Sequence, residues 1–431
     1  MTKFQAPRGT RDLLPSTMVG WRRLRDLAED LGRRYGYAPI ETPLFEESAV
    51  FERAIGAVTD VVEKELFRIA AMGADGDSRA RWALRPEATA GIVRAYIQHG
   101  MRTQPQPVRL STFGPMFRYD RPQAGRYRQF WQWNVEAIGD AGPAVDAEVI
   151  ELGVRFLRQA GAGGVEVHLN SIGDPACRPA YLERLVEFLR RREAQLPPLE
   201  RARLASNPLR VLDSKDPLMA PLLADAPLIA DHLCAACAAH FERLREHLEL
   251  LEVPVRPAPH IVRGLDYYTR TAFEYYLPGA EGQQQALGGG GRYDGLAELL
   301  GGPPTPGVGF AIGVDRVAGL AADGDAGVAA RPVAVVVGAD PAATDVRLKL
   351  ATDLRAAGVA ATADLAPRKL GRQLDGAARE GAHFAVVIGD ELGAGQVQLR
   401  DLEAGTQRLV NVADLARELQ RAQASHRHGE G

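Results

Sequence analysis

Cysteine is scarce in this sequence, with three among 431 residues. So small and odd a number argues against a disulfide framework and is typical of proteins from a reducing cytoplasm. No apolar run approaches the roughly 20 residues needed to span a bilayer. The amino-terminal MTKFQAPRGTRDLLP also lacks the apolar region of a signal peptide. The sequence therefore predicts a cytoplasmic protein with no membrane partner.

An excess of positive charge is also missing, because 52 Lys and Arg against 55 Asp and Glu leave a net charge of −3. A nucleic acid would have to bind local patches, since no global positive field would attract it. With 46% hydrophobic and 25% charged residues, the composition is that of a globular protein with a substantial core. The length predicts about three domains of ordinary size.

The stretch from Phe113 to Gly139 predicts two strands joined by a polar loop. In the second strand, from Tyr127 to Ile138, alternation separates two faces. One face is apolar and carries Trp131, Trp133, Val135 and Ala137. The other face is polar and carries Gln132, Asn134 and Glu136. We expect this strand to form the floor of a site, with functional groups standing on it.

Arginine is concentrated at the loop of this hairpin. Four arginines fall within eleven residues, offset only by Asp120: Arg118, Arg121, Arg126 and Arg128. Guanidinium groups bind phosphate oxygens with two parallel hydrogen bonds, so the cluster favours a phosphate-bearing ligand beside a smaller polar one. From this stretch alone, a solvated and charged hairpin remains the alternative.

Several regular elements are predicted on either side of the hairpin. Helices are expected at about Met18 to Tyr35, Ala88 to His99 and Pro143 to Gly161, and strands at Tyr37 to Thr42, from Trp82 and at Val165 to Asn170. Because Pro86 and Glu87 suit the entry of a helix, Glu87 and Thr89 should lie at a strand-to-helix junction. Such junctions commonly bind ligands.

The predicted fold class is α/β, with a first domain of mixed strands and helices at 1–325. Leu/Ala/Arg-rich text at about 175–255 predicts a helical insertion in this domain. A strand from Tyr267 to Leu277, a glycine run and a helix after Pro306 are expected to follow. Strands alternating with helices at 326–422 predict a second, α/β domain with a largely parallel sheet. Residues 423–431 are expected to be a disordered tail.

Three further stretches carry chemistry. The first, RGLDYY from Arg263 to Tyr268, combines a cation, a carboxylate and two phenols at the start of a strand, and alternation would put the two tyrosines on opposite faces. The second, GGGGRYDG from Gly288, removes the side chains where another group must approach the backbone. It matches neither a P-loop nor the dinucleotide fingerprint. The third, GVGFAIGVDR from Gly307, is expected to be helical, with Arg316 on the face of Gly309 and an anion as its partner.

Together these motifs resemble the class II aminoacyl-tRNA synthetases, and within that class the family specific for histidine. The hairpin is similar to the second class motif, GVGFAIGVDR to the third, and APIETP at 38–43 to the first, which forms a dimer interface. RGLDYY and GGGRYDGL are similar to the two signatures of the histidine family, and RGTRDLLP and RPEATA also match. The resemblance covers nearly the whole chain, and it implies that 1–325 is an α+β catalytic domain built on an antiparallel sheet.

The resemblance implies the activity of a histidine–tRNA ligase. L-histidine and ATP would form histidyl-adenylate, and the acyl group would pass to the 3′ end of tRNA(His), with release of AMP and diphosphate. Mg²⁺ would accompany the phosphates, and the protein would be a homodimer. The carboxy-terminal domain would bind the anticodon. No metal ion held by the protein itself is expected.

The resemblance also implies roles for individual residues. The catalytic residues would be Arg118, Arg263 and Arg316. Histidine would be bound by Glu87, Thr89, Gln132, Glu136, Tyr267, Tyr268 and Tyr293. ATP would be bound by Arg118, Arg126, Gln132, Arg263 and Arg316. The tRNA acceptor end would be contacted by Arg121 and Gln123.

Two alternatives concern other functional classes. Cys234, Cys237 and His240 have the spacing of metal ligands, but three ligands at helical spacing without a second pair favour ordinary helix packing. A regulatory paralogue of this family serves as a non-catalytic subunit of the ATP phosphoribosyltransferase of histidine biosynthesis. That paralogue lacks the carboxy-terminal domain and has eroded motifs, whereas this sequence keeps Arg118, Arg263 and Arg316.

Overall fold

The computed structural model describes residues 4–56, 62, 65–69, 82–120, 126–212, 214, 216–259, 261, 267–280, 285–321, 332–338, 340 and 343–429. The chain divides into two compact units, Met1–Ala326 and Gly327–Gly431. Within the described ranges, we find no helix that is both long and apolar enough to cross a membrane.

The first unit is built on an eight-stranded sheet with the strand order β1-β5-β6-β11-β10-β9-β7-β8, and on a small sheet with the order β2-β4-β3. The strands of this unit are β1 Ala38–Pro39, β2 Phe45–Glu47, β3 Arg68–Ile69, β4 Trp82–Leu84, β5 Val108–Phe117, β6 Gln129–Ile138, β7 Glu166–Ser171, β8 Val255–Pro257, β9 Thr269–Tyr276, β10 Gly288–Arg292 and β11 Gly307–Gly313. All pairings in the large sheet are antiparallel except β1 with β5 and β7 with β8. The mixed fold with a mainly antiparallel catalytic sheet confirms the predicted fold class.

Helices cover and extend this sheet. They are α1 Pro15–Arg34, α2 Ser48–Ile55, α3 Thr89–Gln98, α4 Pro143–Gln159, α5 Arg178–Arg190, α6 Pro198–Ser206, α7 Met219–Leu223, α8 Ala235–Leu250, α9 Leu296–Leu299 and α10 Val314–Ala321. Proline at the start of α1 and of α4 suits a helix entry, because its missing N–H would have no partner there. Four of the helices, α5 to α8, lie between β7 and β8 in the sequence, where the helical insertion is predicted.

The alternation predicted for the second hairpin strand is present in β6. Trp133, Val135 and Ala137 belong to a buried core with Phe156 of α4 and Phe310 of β11. The rings of Trp133 and Phe310 meet edge to face with their centres 5.1 Å apart. A strand that buries one face so completely has a fixed register, since a slip of one residue would turn its polar face inward.

The stretch from Gly307 to Gly313 corrects the prediction of a helix after Pro306. It forms the strand β11, which pairs antiparallel with β6 on one side and β10 on the other. The helix α10 begins only at Val314. Partners on both edges override the weak local helix signal of GVGFAIG, and the glycines admit the neighbouring chain instead of packing a helix on the sheet.

The second unit has a five-stranded sheet with the order β13-β12-β14-β15-β16. Its elements are β12 Ala334–Gly338, α11 Thr344–Ala356, β13 Ala361–Ala363, α12 Leu370–Arg379, β14 Phe384–Ile388, β15 Gln396–Asp401, β16 Gln407–Asn411 and α13 Val412–Gly429. The strands β12, β13 and β14 are parallel, but β15 and β16 are antiparallel, so the sheet is mixed and not largely parallel. Short connections such as 402–406 allow only antiparallel neighbours.

The carboxy-terminal residues also differ from the prediction of a disordered tail from 423. The backbone of α13 continues as a helix to Gly429. The sequence from Leu415 to His428 contains neither glycine nor proline and is rich in Ala, Gln and Arg, which favour a helix.

Candidate active site

A cavity of about 280 Å³ lies against the polar face of the central strands of the large sheet. Its lining includes every predicted site residue that falls within the described ranges: Glu87, Thr89, Arg118, Arg126, Gln132, Glu136, Tyr267, Tyr268, Tyr293 and Arg316. The other three predicted site residues, Arg121, Gln123 and Arg263, lie outside the described residues. Residues from distant parts of the sequence thus line one cavity.

Glu136 is buried, with 1% of its surface exposed, and its hydrogen-bond partners among the described residues are hydroxyl groups. The hydroxyls of Thr89 and Tyr293 each donate a hydrogen bond of 2.6 Å to its carboxylate. Burial raises the pKa of Glu136 to about 8, which these two hydrogen bonds partly oppose and the nearby Glu87 reinforces. Such a carboxyl group is poised to accept a hydrogen bond from a ligand whose charge or donor compensates for the missing water.

Room for Glu136 depends on Gly309, which lies opposite it on β11. A Cβ atom on Gly309 would lie 1.9 Å from Oε2 of Glu136 and 2.4 Å from the carbonyl oxygen of Val135. Only glycine fits at this position, because real Cβ atoms essentially never approach so closely. Gly309 of the GVGFAIGVDR stretch therefore makes space for the carboxylate of Glu136 in the hairpin.

Glu87 closes the amino terminus of α3. Its carboxylate accepts the backbone N–H groups of Thr89 and Ala90 at 2.6 and 2.9 Å. Burial raises the pKa of Glu87, while these two N–H donors and the Arg118 guanidinium act against that rise. The strand-to-helix junction predicted from the sequence is thus where Glu87 lies, with its carboxylate held by a helix start.

Three tyrosines form an aromatic wall. The ring of Tyr267 lies 4.7 Å from the ring of Tyr268 and 6.0 Å, edge to face, from that of Tyr293. The prediction that Tyr267 and Tyr268 lie on opposite faces is wrong, since both line the cavity. They precede the first residue of β9, so the alternation of a strand does not apply to them. Burial raises the pKa of Tyr267 and of Tyr293 well above that of a free phenol, so both stay protonated and can donate.

Three arginines form the basic part of the lining. Arg118 donates from Nε to the carbonyl oxygen of Pro86 at 2.8 Å, and Arg316 donates to the carbonyl oxygen of Ala286. Arg126 pairs with Asp120 at 2.9 Å. Burial lowers the pKa of Arg118, and burial together with the charges of Arg126 and Arg118 lowers that of Arg316. Neighbouring guanidiniums that lower the pKa values of Arg118 and Arg316 create a site for an anion.

Asn134 was on the polar face of β6 in the sequence analysis but was not predicted to be a site residue. It is fully buried, and among the described residues neither of its side-chain polar atoms has a hydrogen-bond partner. Oε1 of Gln132 is likewise buried without a hydrogen-bond partner among the described residues. Buried amides normally have partners, so these groups indicate places for ligand atoms. The alternation of β6 already contained this signal.

The amino-terminal motif RGTRDLLP holds the start of α10 in place beside the site, which the sequence did not predict. Arg11 binds the carboxylate of Asp315 at 2.7 Å, and Asp315 also accepts the backbone N–H of Trp131 at 2.7 Å. Burial raises the pKa of Asp315, while Trp131 and Arg11 oppose that rise. Because Asp315 immediately precedes Arg316, these bonds fix α10 against β6.

The cavity can therefore hold two kinds of group at once. The carboxylates, hydroxyls and amides suit a small ligand rich in N–H donors. The arginines suit phosphate oxygens. A reaction between a small zwitterion and a nucleotide phosphate needs both parts side by side, and it needs no nucleophile from the protein.

Comparison with known proteins gives a consistent result. A family model described as histidyl-tRNA synthetase matches residues 9–317, and one described as anticodon binding domain matches 332–422. The chain is 46% identical over 418 residues to the histidine–tRNA ligase of Desulforudis audaxviator, covering 96% of this chain and 98% of that one. It is 44% identical to the histidine–tRNA ligase of Moorella thermoacetica, covering 94% of this chain and 96% of the other.

Among solved structures, the chain is similar to the histidyl-tRNA synthetase of S. aureus, with a TM-score of 0.79 and 33% identity. The similarity covers 97% of this chain and all of that one. The matched family model includes the hairpin, the glycine strand β10 and α10 up to Val317, and so covers the described part of the cavity. The chain belongs to the histidyl-tRNA synthetase family.

Proposed function

We propose that this chain is a histidine–tRNA ligase that activates L-histidine with ATP and transfers the histidyl group to the 3′ end of tRNA(His). One observation carries the proposal most directly. A buried carboxylate with raised pKa, Glu136, shares a single cavity with three arginines that have no common anionic partner among the described residues. Membership in the family and full coverage of its relatives support the same activity.

For histidine, Glu136 accepts the N–H of the imidazole, and the hydroxyl of Tyr268 donates to the other ring nitrogen. Glu87, Thr89 and Gln132 accept the hydrogens of the α-ammonium group. The apolar faces of Tyr267 and Tyr293 line the ring. A competitor without ring nitrogens would bury Glu136 with no N–H donor beside its two hydroxyl partners, and this provides discrimination.

For ATP, Arg118 binds the α-phosphate, while Arg316 binds the γ-phosphate and Arg126 adds positive charge beside them. Arg263 lies outside the described residues, and its role in stabilising the transition state rests on the resemblance of RGLDYY to the family signature. Gln132 lies between the two substrates and contacts both. The role of the arginines is electrostatic, because charge builds on phosphoryl oxygens during the transfer.

Mg²⁺ is expected with the β- and γ-phosphates. Glu274 lines the cavity near Arg316 and accepts a hydrogen bond of 2.6 Å from the hydroxyl of Tyr276. One carboxylate together with phosphate oxygens is a common set of Mg²⁺ ligands, so Glu274 fits this ion. When bound, Mg²⁺ would neutralise charge on the departing diphosphate.

Two transfers follow from this arrangement. A carboxylate oxygen of histidine attacks the α-phosphorus, and the bond to the β-phosphate oxygen breaks to release diphosphate. A hydroxyl of the terminal ribose of tRNA(His) then attacks the acyl carbon of the adenylate, and AMP departs. The protein contributes position and charge compensation in both steps and forms no covalent intermediate.

We propose the remaining partners and the location on the basis of family membership. Arg121 and Gln123 are proposed to contact the acceptor end of the tRNA, and the domain at 326–422 to bind the anticodon. The catalytic domain at 1–325 is proposed to form a homodimer in the cytoplasm. A sheet edge formed by β1, with the exposed side chains of Leu44 and Phe45 nearby, supports an interface there. A single-chain mass in sedimentation at micromolar concentration would contradict the dimer.

Histidine-dependent exchange of diphosphate into ATP tests the activity. We expect exchange with histidine and none with leucine or glutamine at equal concentration. Arg118→Ala should lower the exchange rate by about 10²- to 10³-fold, the usual effect of removing one donor to transition-state charge. Arg102→Ala, an exposed arginine that does not line the cavity, is the matched control. No exchange in the unmodified protein would refute the ligase.

A further inference from the structure

All three cysteines of the chain converge at one point, although Cys177 is distant in sequence from Cys234 and Cys237. Cys177 precedes α5, Cys234 precedes α8, and Cys237 lies in the first turn of α8. Asp174, in the loop after β7, completes the group. The sequence spacing suggests a group of Cys234, Cys237 and His240 instead, because a local pattern cannot show a partner from a distant part of the chain.

The four ligand atoms have the spacing of a small coordination sphere. The three sulfurs and a carboxylate oxygen of Asp174 all lie within 4.8 Å of one another, and Sγ of Cys177 is 3.6 Å from Oδ1 of Asp174. In a tetrahedral zinc site, bond lengths of about 2.3 Å to sulfur and 2.0 Å to oxygen place neighbouring ligand atoms about 3.5–3.8 Å apart. A shift of about one ångström or less would close the sphere on an ion.

His240 does not belong to this group. Its Nε2 lies 3.6 Å from the carboxylate of Asp146. Burial lowers the pKa of His240, which keeps its ring neutral there. The fourth ligand is therefore a carboxylate, and the set of three thiolates and one oxygen is of the soft type that selects zinc over magnesium or calcium.

Backbone and side-chain donors surround the ligand atoms. The backbone N–H of Asp174 donates to Sγ of Cys177 at 3.4 Å, and the backbone N–H of Cys237 donates to Cys234 and helps to lower the pKa of that thiol. Arg270 lies 3.3 Å from Oδ2 of Asp174, and the N–H of Ala176 lies 3.0 Å from Oδ1. Donors of this kind orient metal ligands and stabilise their anionic forms.

The chain conformation also fits a built site. Gly173 has a positive φ of 62°, and a Cβ atom there would lie 2.8 Å from the sulfur of Cys177. Arg270, which reaches Asp174, has a φ of 51°, a left-handed conformation that is costly for a residue with a side chain. Two unusual backbone positions therefore hold the loop and the arginine around the four ligands.

We propose that Asp174, Cys177, Cys234 and Cys237 bind one Zn²⁺ ion in a closed, structural site. Four protein ligands leave no open position, so the ion has no catalytic role. It ties the loop after β7 to the start of α8. Because Arg178, the first residue of α5 and next to Cys177, donates to the carbonyl oxygen of Tyr268 at 2.7 Å, the site also supports a tyrosine of the histidine cavity.

Metal content of the full-length protein tests the proposal. The protein should be produced in zinc-supplemented cultures and purified without a histidine tag. We expect about one zinc ion per chain, measured by inductively coupled plasma mass spectrometry. Cys177→Ser and Asp174→Asn should lose most of that zinc. Asp231→Asn, an exposed carboxylate of the same helical segment, should keep it. Equal zinc in all four proteins, or none in the unmodified one, would overturn the site.

A spectrum of the unmodified protein keeps the test independent of how well the variants fold. After removal of zinc, Co²⁺ should give the visible bands of a tetrahedral site and a thiolate-to-cobalt band in the near ultraviolet. Absence of the thiolate band, or a Cys234–Cys237 disulfide found by mass spectrometry in protein kept reduced, would overturn the proposal. Neither result depends on aminoacylation, so the ligase proposal is tested separately.

Discussion

Two buried polar clusters border the large sheet, and they differ in whether their charges are matched. In the closed cluster of Asp146, Thr271 and Arg292, the guanidinium bonds Asp146, Asp294 and two backbone carbonyl oxygens, and Thr271 donates to Asp146 at 2.5 Å. In the open cluster of Glu87, Gln132, Asn134 and Glu136, two carboxylates lie close enough to interact, and amide atoms have no hydrogen-bond partner within the part of the chain that the structure describes.

The difference separates structure from function. Burial would lower the pKa of Arg292, but Asp146 and Asp294 raise it, so this cluster stabilises its own charges. In the open cluster, burial raises the pKa of both carboxyl groups, because their ionised forms are unfavourable there. A ligand that donates hydrogen bonds to these groups would stabilise the ionised forms. A buried network whose polar groups find their hydrogen-bond and charge partners within the protein stabilises the fold. A network whose polar groups lack such partners is suited to bind a ligand. Four experiments test this contrast.

The largest expected effect is on stability, in the closed cluster. Arg292→Leu leaves Asp146 buried without its cation and should lower the free energy of unfolding by about 3–5 kcal/mol, measured by urea denaturation. Arg245→Leu removes an arginine of an exposed pair with Glu242 and should cost at most about 1 kcal/mol. Similar losses for the two variants would show that the closed cluster is not a special contributor.

Next is Glu136→Gln in the open cluster. Loss of a charged acceptor should weaken histidine binding by about 1.5–3 kcal/mol, or roughly 10- to 150-fold, in calorimetry. Stability should change in the opposite sense. Because the pKa in the folded state, about 8, lies above the ordinary 4.5, the stability of the unmodified protein falls as pH rises between these values. The variant lacks this slope and should gain thermal stability relative to the unmodified protein above pH 8. Unchanged affinity would place the imidazole elsewhere.

The pH dependence of histidine affinity is the third test. If Glu136 accepts from a neutral imidazole, binding must release the proton that this carboxyl group carries below its pKa of about 8. Affinity should then rise about tenfold per pH unit from about 6.5, the pKa of a free imidazole, to about 8. Calorimetry in buffers of different ionisation enthalpy should count one proton released at pH 7. A flat profile in this range would mean that the imidazole binds as a cation and that Tyr268 does not donate to it.

The smallest effect is expected for Tyr293→Phe. Removal of one neutral hydroxyl from Glu136 should weaken histidine binding by about 0.5–1.5 kcal/mol and raise the pKa of Glu136 further. Tyr275→Phe is the matched control, because its hydroxyl donates to the carbonyl oxygen of Ile150 in the core. The control should affect stability and leave histidine affinity unchanged. Equal losses of affinity would remove Tyr293 from the site.

The sequence predicts the open cluster well because a strand with one buried face leaves no choice of register. Tryptophans on one side of β6 determine that Gln132, Asn134 and Glu136 share the other side. The helix entry at Pro86 likewise places Glu87 without knowledge of the fold. These predictions use only local periodicity and local backbone chemistry.

Features that depend on distant partners were not predictable. GVGFAIG was expected to be a helix because its two edge partners, β6 and β10, are invisible in the local pattern. Arg11 with Asp315, and Cys177 with Cys234, are joined by the fold and by no spacing rule. Strand alternation predicts opposite faces for Tyr267 and Tyr268, but both residues precede the first residue of β9, where alternation does not hold. Sequence periodicity predicts a single helix or strand, whereas the partners of that element are determined only by the folded sheet.

The contact between Arg11 and Asp315 spans 304 residues. During synthesis, Arg11 leaves the ribosome long before its partner exists, and β11 is the last strand to enter the large sheet between β6 and β10. The amino-terminal segment must therefore wait, without this anchor, until nearly the entire first unit has been translated. A nascent chain cannot complete the proposed ATP site early, so nucleotide binding would report that synthesis of this unit has finished.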